Sequence, residues 1–278
     1  MKQCAIAVID YKPSLNGHEK ISLQQCSRVL KDYDLFLVSH KGMDLSEHIQ
    51  AIGRPGLPSI LTFPRHFFAS LQGYNRLLKS VGFFRAFASY EYILIYHTDS
   101  FVFSDELSYW CEKGYDYIGA PLYQFDGTIA PPDANFICTG NGGFSLHRVS
   151  SAMEVLSTFR RVYSFKDLWE WYAVYSLKGK VYFLPYFLRV ISGLGGNSHE
   201  GLNHLRVNED IFWGKYVPRS FPRFKVAPFA DAYKFSMEYN CERLFGLNEG
   251  QLPFGCHRWY KQEFLNFWKD KIEQFRVQ

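Results

Sequence analysis

One stretch limits the fold more than any other. Tyr92-Ile93-Leu94-Ile95-Tyr96 is an unbroken run of aromatic, aliphatic and β-branched residues and reads as a buried strand. It delivers a polar triplet, His97-Thr98-Asp99, and turns apolar again through Phe101-Val102-Phe103. A carboxylate at the carboxyl end of a buried strand suits a site better than a core, because open α/β sheets bind ligands beyond that end of their strands. Burying Asp99 unpaired is costly, so it should hold a cation, a hydrogen-bond network or a partner charge. The plainer reading is an Asp that only caps the following turn.

With 278 residues, 47% of them hydrophobic and 21% charged, the chain can bury a full core, which argues against a disordered chain. Aromatic residues make up 18%, and such side chains stack on bases and sugars as well as filling cores, so the excess fits a carbohydrate or nucleotide handler. The net charge of +4 comes without a polybasic tract, so nucleic acid is not an expected partner. A mild positive balance suits an anionic small substrate or a membrane surface. Cys4, Cys26, Cys111, Cys138, Cys241 and Cys256 are scattered without a CxxC pair and read as reduced structural thiols of a cytoplasmic protein. The first residues lack a signal-peptide pattern, and no run approaches the roughly 18 apolar residues of a membrane span.

Taken in order, Cys4 to Ile9 reads as a first strand, His18 to Leu30 as a helix and Asp34 to Ser39 as a second strand, a βαβ opening. The loops at Asp10-Tyr11 and His40 should share an edge with Asp99. Asp10-Tyr11-Lys12-Pro13, directly after the first strand, contains no glycine, which counts against a dinucleotide or P-loop site. Gly53 to Pro64 reads as turn-rich, and Phe67 to Tyr90 as helix with a break near Val81-Gly82. Ser104-Asp105-Glu106 resembles an N-cap with acidic first-turn residues, opening a helix to Gly114, and Tyr115 to Ala120 a short strand closed by Pro121. Phe125 to Asp133 is a loop leading into Thr139-Gly140-Asn141-Gly142-Gly143-Phe144-Ser145-Leu146. Its glycines permit positive φ and close approach of the backbone to a ligand, or else form a tight hairpin. Val149 to Leu177 is mostly helical, Tyr182 to Val190 has a strand's composition, and Gly193 to Leu205 is polar and glycine-rich. The carboxylates of Asn208-Glu209-Asp210 favour a helix dipole or place a base at a pocket. Phe224 to Ala230 suggests a late strand, and Gln262 to Phe275 a final amphipathic helix. With no linker or repeat, residues 1–278 are expected to form one domain.

Together, the strand with Thr98-Asp99-Ser100, the segment Gly140-Asn141-Gly142-Gly143-Phe144-Ser145, Asn208-Glu209-Asp210 and Phe254-Gly255-Cys256-His257-Arg258-Trp259 resemble, in order and separation, a GT-A-type glycosyltransferase. The likeness is to a bacterial group of GT-A-like proteins associated with surface-polysaccharide loci, and it spans Ile6 to about Trp259. It implies an α/β fold with a GT-A-like, Rossmann-like mixed central sheet flanked by helices. Residues 1–120 would be the nucleotide-binding half, and 121–278 the acceptor-binding half with the C-terminal helix. It also implies transfer, with inversion, from a nucleotide-sugar donor to a surface glycan or lipid-linked glycan.

A divalent cation, Mn²⁺ or Mg²⁺, stabilises the departing diphosphate in such enzymes and is held by an Asp-x-Asp motif. Here His97 replaces the first Asp, so the resemblance assigns the cation to Asp99 and the late His257. It leaves His97 as a ligand, a ribose contact or neither. It implies Asp210 as the acceptor base, with Glu209 as fallback, and Gly142 and Gly143 beside the donor sugar or acceptor. It also implies Asp10 and Tyr11 at the nucleobase and ribose, and Tyr74-Asn75 with Lys79 reaching toward the donor.

Two other readings compete. The missing Asp motivates a binding module whose metal site has decayed. A nucleotidyltransferase would share the strand arrangement, but Lys12 alone is thin support for a triphosphate loop. A peripheral contact with the inner face of the plasma membrane would fall to the final helix, where Phe264, Phe267, Trp268 and Phe275 lie among lysines, unless that face packs on the core.

Overall fold

The computed structural model describes residues 1–124, 133–158, 162–174, 176–192 and 207–275. The expected loop from Phe125 to Asp133 falls almost wholly outside the described residues, as does the segment from Gly193 to Leu205.

Eleven strands occur among the described residues: β1 (Lys2–Ile9), β2 (Asp34–His40), β3 (Ser59–Phe63), β4 (Tyr90–Tyr96), β5 (Ser100–Val102), β6 (Tyr117–Ile118), β7 (Ala120–Gln124), β8 (Asn135–Gly140), β9 (Phe144–Arg148), β10 (Ser236–Met237) and β11 (Gly255–His257). Six of them make the central sheet in the order β3-β2-β1-β4-β9-β6. The first four run parallel, while β9 runs antiparallel to both β4 and β6, so the sheet is mixed and helices flank it. Smaller sheets pair β10 and β5 with β11, and β7 with β8.

The sheet is apolar on both faces, which explains why β1 and β4 read as continuous runs rather than alternating ones. Ala5, Ala7, Ile93 and Ile95 point into one core, with Phe83, Phe84 and Trp213. Their neighbours Ile6, Val8, Leu94 and Tyr96 point into another, with Leu23, Cys26 and Trp110. A third cluster takes Phe101, Cys256 and Trp259 together with Phe264 and Trp268 of the last helix, Gln262–Glu273. Phe267 and Phe275 pack against the same cluster. The aromatic face of the terminal helix therefore belongs to the core, and the membrane contact considered for it is not available. All six cysteines are buried with free thiols.

The first helix, Gly17–Val29, starts where Asn16 and Glu19 form a reciprocal capping box. Several expectations need correction. The Gly- and Pro-rich stretch after Gly53 contains β3, an edge strand too short and too exposed to give a hydrophobic pattern. The helix expected from Phe67 to Tyr90 is divided next to Val81, where the break was expected, but its halves are shorter, Leu71–Leu77 and Val81–Arg85, each opened by a serine cap. Ser104 and Glu106 bond to each other at 2.7 Å instead of capping, so the following helix begins at Leu107 without acidic residues in its first turn. Pro121 lies within β7, on a two-stranded ribbon that tolerates it, rather than ending a strand. Tyr182 to Val190 is part of the helix Leu177–Ser192, because an apolar run of that length carries no period to separate helix from strand. Phe224 to Ala230 forms only a bridge from Val226 to Tyr117 before Pro228 starts the helix Phe229–Phe235.

Candidate functional site

The carboxyl ends of β1 and β4 open on a cavity of about 650 Å³. Asp99 stands at its edge because β4 ends at Tyr96 and the chain turns through His97-Thr98-Asp99 into β5. β11 then pairs antiparallel with β5, setting His257 opposite Ser100. That register brings His257 Nε2 to 3.0 Å from Asp99 Oδ1, while His257 Nδ1 lies 3.5 Å from Glu238 Oε1. Lys261 Nζ is 3.7 Å from Asp99 Oδ2, and Arg258 Nη1 is 3.8 Å from Glu238.

Burial alone would depress His257, but Asp99 and Glu238 on either side push it up to about 10. Burial would raise Asp99, and the neighbouring His257 instead holds it well below the usual carboxylate range. His97 goes the other way: burial, reinforced by the charge on His257, pushes it down to about 4.

The protonation of His97 follows from its partners. The Tyr74 hydroxyl lies 2.5 Å from the Gly142 carbonyl and 2.8 Å from His97 Nε2. A carbonyl only accepts, so Tyr74 donates its one proton to Gly142 and must accept from His97. Nε2 is therefore the protonated nitrogen, and a neutral His97 keeps a lone pair on Nδ1.

His97, Asp99 and His257 can each offer one ligand atom, and these atoms lie within 4.8 Å of one another. Two imidazoles and a carboxylate form a donor set that suits a divalent transition ion. The backbone beside them is kept bare, since a Cβ on Gly143 would fall 2.1 Å from His257 Nε2. The residues present fit a cation. Of the roles the sequence left open for His97, its position favours that of a candidate ligand beside Asp99 and His257.

Glu209 and Asp210 occupy another part of the same cavity wall. They begin a helical segment, Glu209–Ile211, that continues through a π-turn at Phe212–Tyr216. Asn75 holds the segment in place: its Oδ1 accepts from Glu209 N at 2.8 Å and its Nδ2 donates to Asn208 at 3.2 Å. Burial, then the neighbouring Asp210, raises Glu209 well above the ordinary range, and its buried Oε2 has no hydrogen-bond partner. Burial raises Asp210 less, to about 6, because the amides of Ile211 and Asn141 donate to it. Two adjacent acids whose protons leave at different pH are an arrangement suited to divided acid and base roles. Glu209 is thus the tighter holder of a proton and Asp210 the readier acceptor.

The glycine segment joins these groups. It is not a hairpin, because β8 and β9 on either side of it belong to different sheets. Positive φ falls on Asn141, at 98°, rather than on Gly142 or Gly143. The Asn141 side chain accepts from Gly143 N at 2.9 Å, which supports the unusual backbone. What the glycines supply is room: a Cβ on Gly142 would sit 2.0 Å from Glu209 Oε1.

Asp10 lies on the cavity wall, but its carboxylate is occupied by the amides of Tyr11 and Lys12 and by His48 Nε2 at 3.0 Å. Tyr11 stands at the rim, 63% exposed. Lys79 does not line the cavity. It is buried and donates to the Val207 carbonyl at 2.7 Å, so the expected reach toward a donor is replaced by an anchor beneath Glu209. Sequence reading missed Glu238, Lys261 and Tyr260, which also line the cavity. For Glu238 the sequence held no comparable signal, because the strand before it, Ser236–Met237, is two residues long and half polar.

A family described as "Protein of unknown function (DUF5672)" matches residues 58–257. The chain belongs to that family. The matched span holds His97, Asp99, Glu209, Asp210, Glu238 and His257, and leaves out Asp10 and Tyr11. No curated protein matches the sequence.

Among solved structures, the chain is similar to a 4-diphosphocytidyl-2C-methyl-D-erythritol synthase from Anaerococcus prevotii, at 17% identity over 56% of this chain and 74% of that one, with a TM-score of 0.33. A cytidylyltransferase from Leptospira borgpetersenii is similar over 56% of this chain and 64% of that one, at 8% identity and a TM-score of 0.33. The WbbM bifunctional glycosyltransferase is similar over 100% of this chain, at 8% identity and a TM-score of 0.43. The chain spans about half of WbbM, 52% of its length.

Proposed function

We propose that this protein is a metal-dependent glycosyltransferase with a GT-A-like fold, moving a sugar from a nucleotide-sugar donor to a glycan or lipid-linked glycan acceptor. One observation carries the reading: the His97–Asp99–His257 cluster and the Glu209–Asp210 pair line one cavity, with bare Gly142-Gly143 backbone between them in the wall.

His97, Asp99 and His257 would hold a divalent cation, which would supply positive charge to offset that of the departing diphosphate. Lys261, 3.7 Å from Asp99, adds a second positive charge at the same edge. Glu238 fixes the His257 ring from behind, as carboxylates behind ligating histidines do. Tyr11 and Lys12 meet the nucleoside at the rim. Asp210 takes the proton of the acceptor hydroxyl as its oxygen attacks the anomeric carbon and the bond to the diphosphate breaks. Protonated Glu209 hydrogen-bonds a sugar hydroxyl through the oxygen that otherwise lacks a partner. Attack directed from Asp210 on the side opposite the diphosphate inverts the anomeric centre.

The test is thermal stability against a panel of nucleoside diphosphates and nucleotide sugars, with and without Mn²⁺, since a ligand that binds the native state raises the melting point by mass action. The expected result is a Mn²⁺-dependent shift with one diphosphate, lost in Asp99→Asn and kept in Asp210→Asn, with transfer abolished in both. Binding without turnover under any metal would make the protein a binding module. Release of pyrophosphate from a nucleoside triphosphate and a sugar phosphate would make it a nucleotidyltransferase.

A further inference from the structure

The helix Leu177–Ser192 carries an apolar stripe that faces outward. Leu177, Val181, Leu184 and Leu188 recur at four-, three- and four-residue steps, so they fall on one side of the helix. They are 80%, 68%, 41% and 55% exposed. Trp169, on the preceding helix Phe165–Val174, is 54% exposed beside them, its ring 6.4 Å from that of Phe187. Four large aliphatic residues lined up in water are not the scattered exposure ordinary for a surface; they mark a face that is covered.

The charge around the stripe says by what. Within the helix Leu177–Ser192 the charged residues are Lys178, Lys180 and Arg189, with no aspartate or glutamate, while Asp167 and Glu170 belong to the preceding helix. At sixteen residues the helix is about 24 Å long, enough to lie along a bilayer surface, and no described helix is long and apolar enough to cross one. A second copy of the chain is a poorer occupant. Pairing two such stripes would bring like charges together, and Pro185 inside the helix interrupts the regular packing a helical seam needs.

We infer that Leu177–Ser192 is an in-plane anchor that docks the protein on an anionic lipid surface, with the aliphatic stripe and Trp169 among the acyl chains and the lysines at the headgroups. The attachment is independent of whichever reaction the cavity performs.

Flotation of the full chain with vesicles of phosphatidylcholine alone, and with 30% phosphatidylglycerol (about one lipid in three), tests it. The expected result is association with the anionic vesicles, reduced at least tenfold in Val181→Glu/Leu188→Glu, whose melting temperature stays that of the wild type. Lys178→Glu/Lys180→Glu leaves the stripe intact and is expected to lower association at least tenfold, since each lysine near an anionic surface contributes about fivefold. Failure of the wild type to float, or flotation of either variant equal to that of the wild type, overturns the inference. So does a wild type that ignores vesicles but self-associates in sedimentation equilibrium through a contact that Val181→Glu/Leu188→Glu abolishes. Should that variant fail to fold, the lysine pair and the loss of flotation in high salt decide the matter.

Discussion

The Tyr74 hydroxyl accepts a hydrogen bond from His97 Nε2 at 2.8 Å while donating its own proton to the Gly142 carbonyl. One phenol thereby fixes the tautomer of a candidate metal ligand and ties it to the glycine segment beside Glu209. Tyr74→Phe removes both bonds with almost no change in volume. The expected outcome is a cation affinity lower by about 10–100-fold, the usual effect of deleting a group that orients a ligating histidine. Mn²⁺ titration calorimetry measures it, and an unchanged affinity would separate His97 from the cation.

The two glycines facing the site should fail in different ways. In Gly143→Ala the new methyl meets His257 Nε2, and in Gly142→Ala it meets Glu209 Oε1. The first is expected to remove Mn²⁺-dependent nucleotide binding, the second to lower transfer while Mn²⁺ still binds. Gly214→Ala is the contrast: its Cβ would fall 1.8 Å from the Thr139 carbonyl, a backbone atom that cannot swing aside. It should cost about 3 kcal/mol or more of stability. Denaturant melts alongside binding assays separate the three.

Asp210 links stability to pH with a definite sign. Its folded pKa of about 6 lies above the ordinary 3.8, so between those values the native state binds more protons than the unfolded one. Stability from this group is full below the lower value and declines as pH rises through the upper. Asp210→Asn should therefore raise stability at pH 7.5 by on the order of 2 kcal/mol and leave it unchanged near pH 3.5. The same change should reduce transfer by about 10²–10⁴-fold, as loss of a general base does. Wild-type transfer should fall as pH drops through about 6. Melts of both chains at the two pH values in EDTA check the first part; identical melts everywhere would mean the carboxyl is not buried.

Lys79 distinguishes an anchor from a binding group. Burial pushes its ammonium down to about 8, and it donates to the Val207 carbonyl just ahead of Asn208. Lys79→Met leaves that acceptor without its partner and is expected to cost about 1–3 kcal/mol. Nucleotide affinity should stay within about threefold of wild type, a bound chosen to lie well under the tenfold that 1.4 kcal/mol represents. Weaker nucleotide binding with an unchanged melting temperature would put Lys79 at the ligand instead.

Parts of this were legible along the chain. β1, β2 and β4 announce themselves because each is a compact apolar run, and runs buried on both faces need no alternation to be recognised. β3 escaped because a five-residue edge strand buries too little to leave a pattern. Tyr182 to Val190 was misread because its apolar residues suit a strand's interior and a helix's exposed stripe equally well.

Asp99 could be singled out from its position after β4, since a buried strand that ends in a carboxylate is unusual chemistry wherever it folds. The company it keeps could not. His257 reaches it only because the three residues of β11 pair with β5, and Glu238 joins them only because β10 pairs with β11. Those ladders are too short for local sequence to specify, and their register comes from packing Phe101, Cys256 and Trp259 into the third core. Asn75 and Lys79 were likewise visible as polar residues on a helix, and only the fold assigned them to holding Glu209 rather than a ligand. Local hydrophobicity determined the long buried strands β1, β2 and β4 and their order of appearance. Long-range packing, which no local window contains, decided which charges meet.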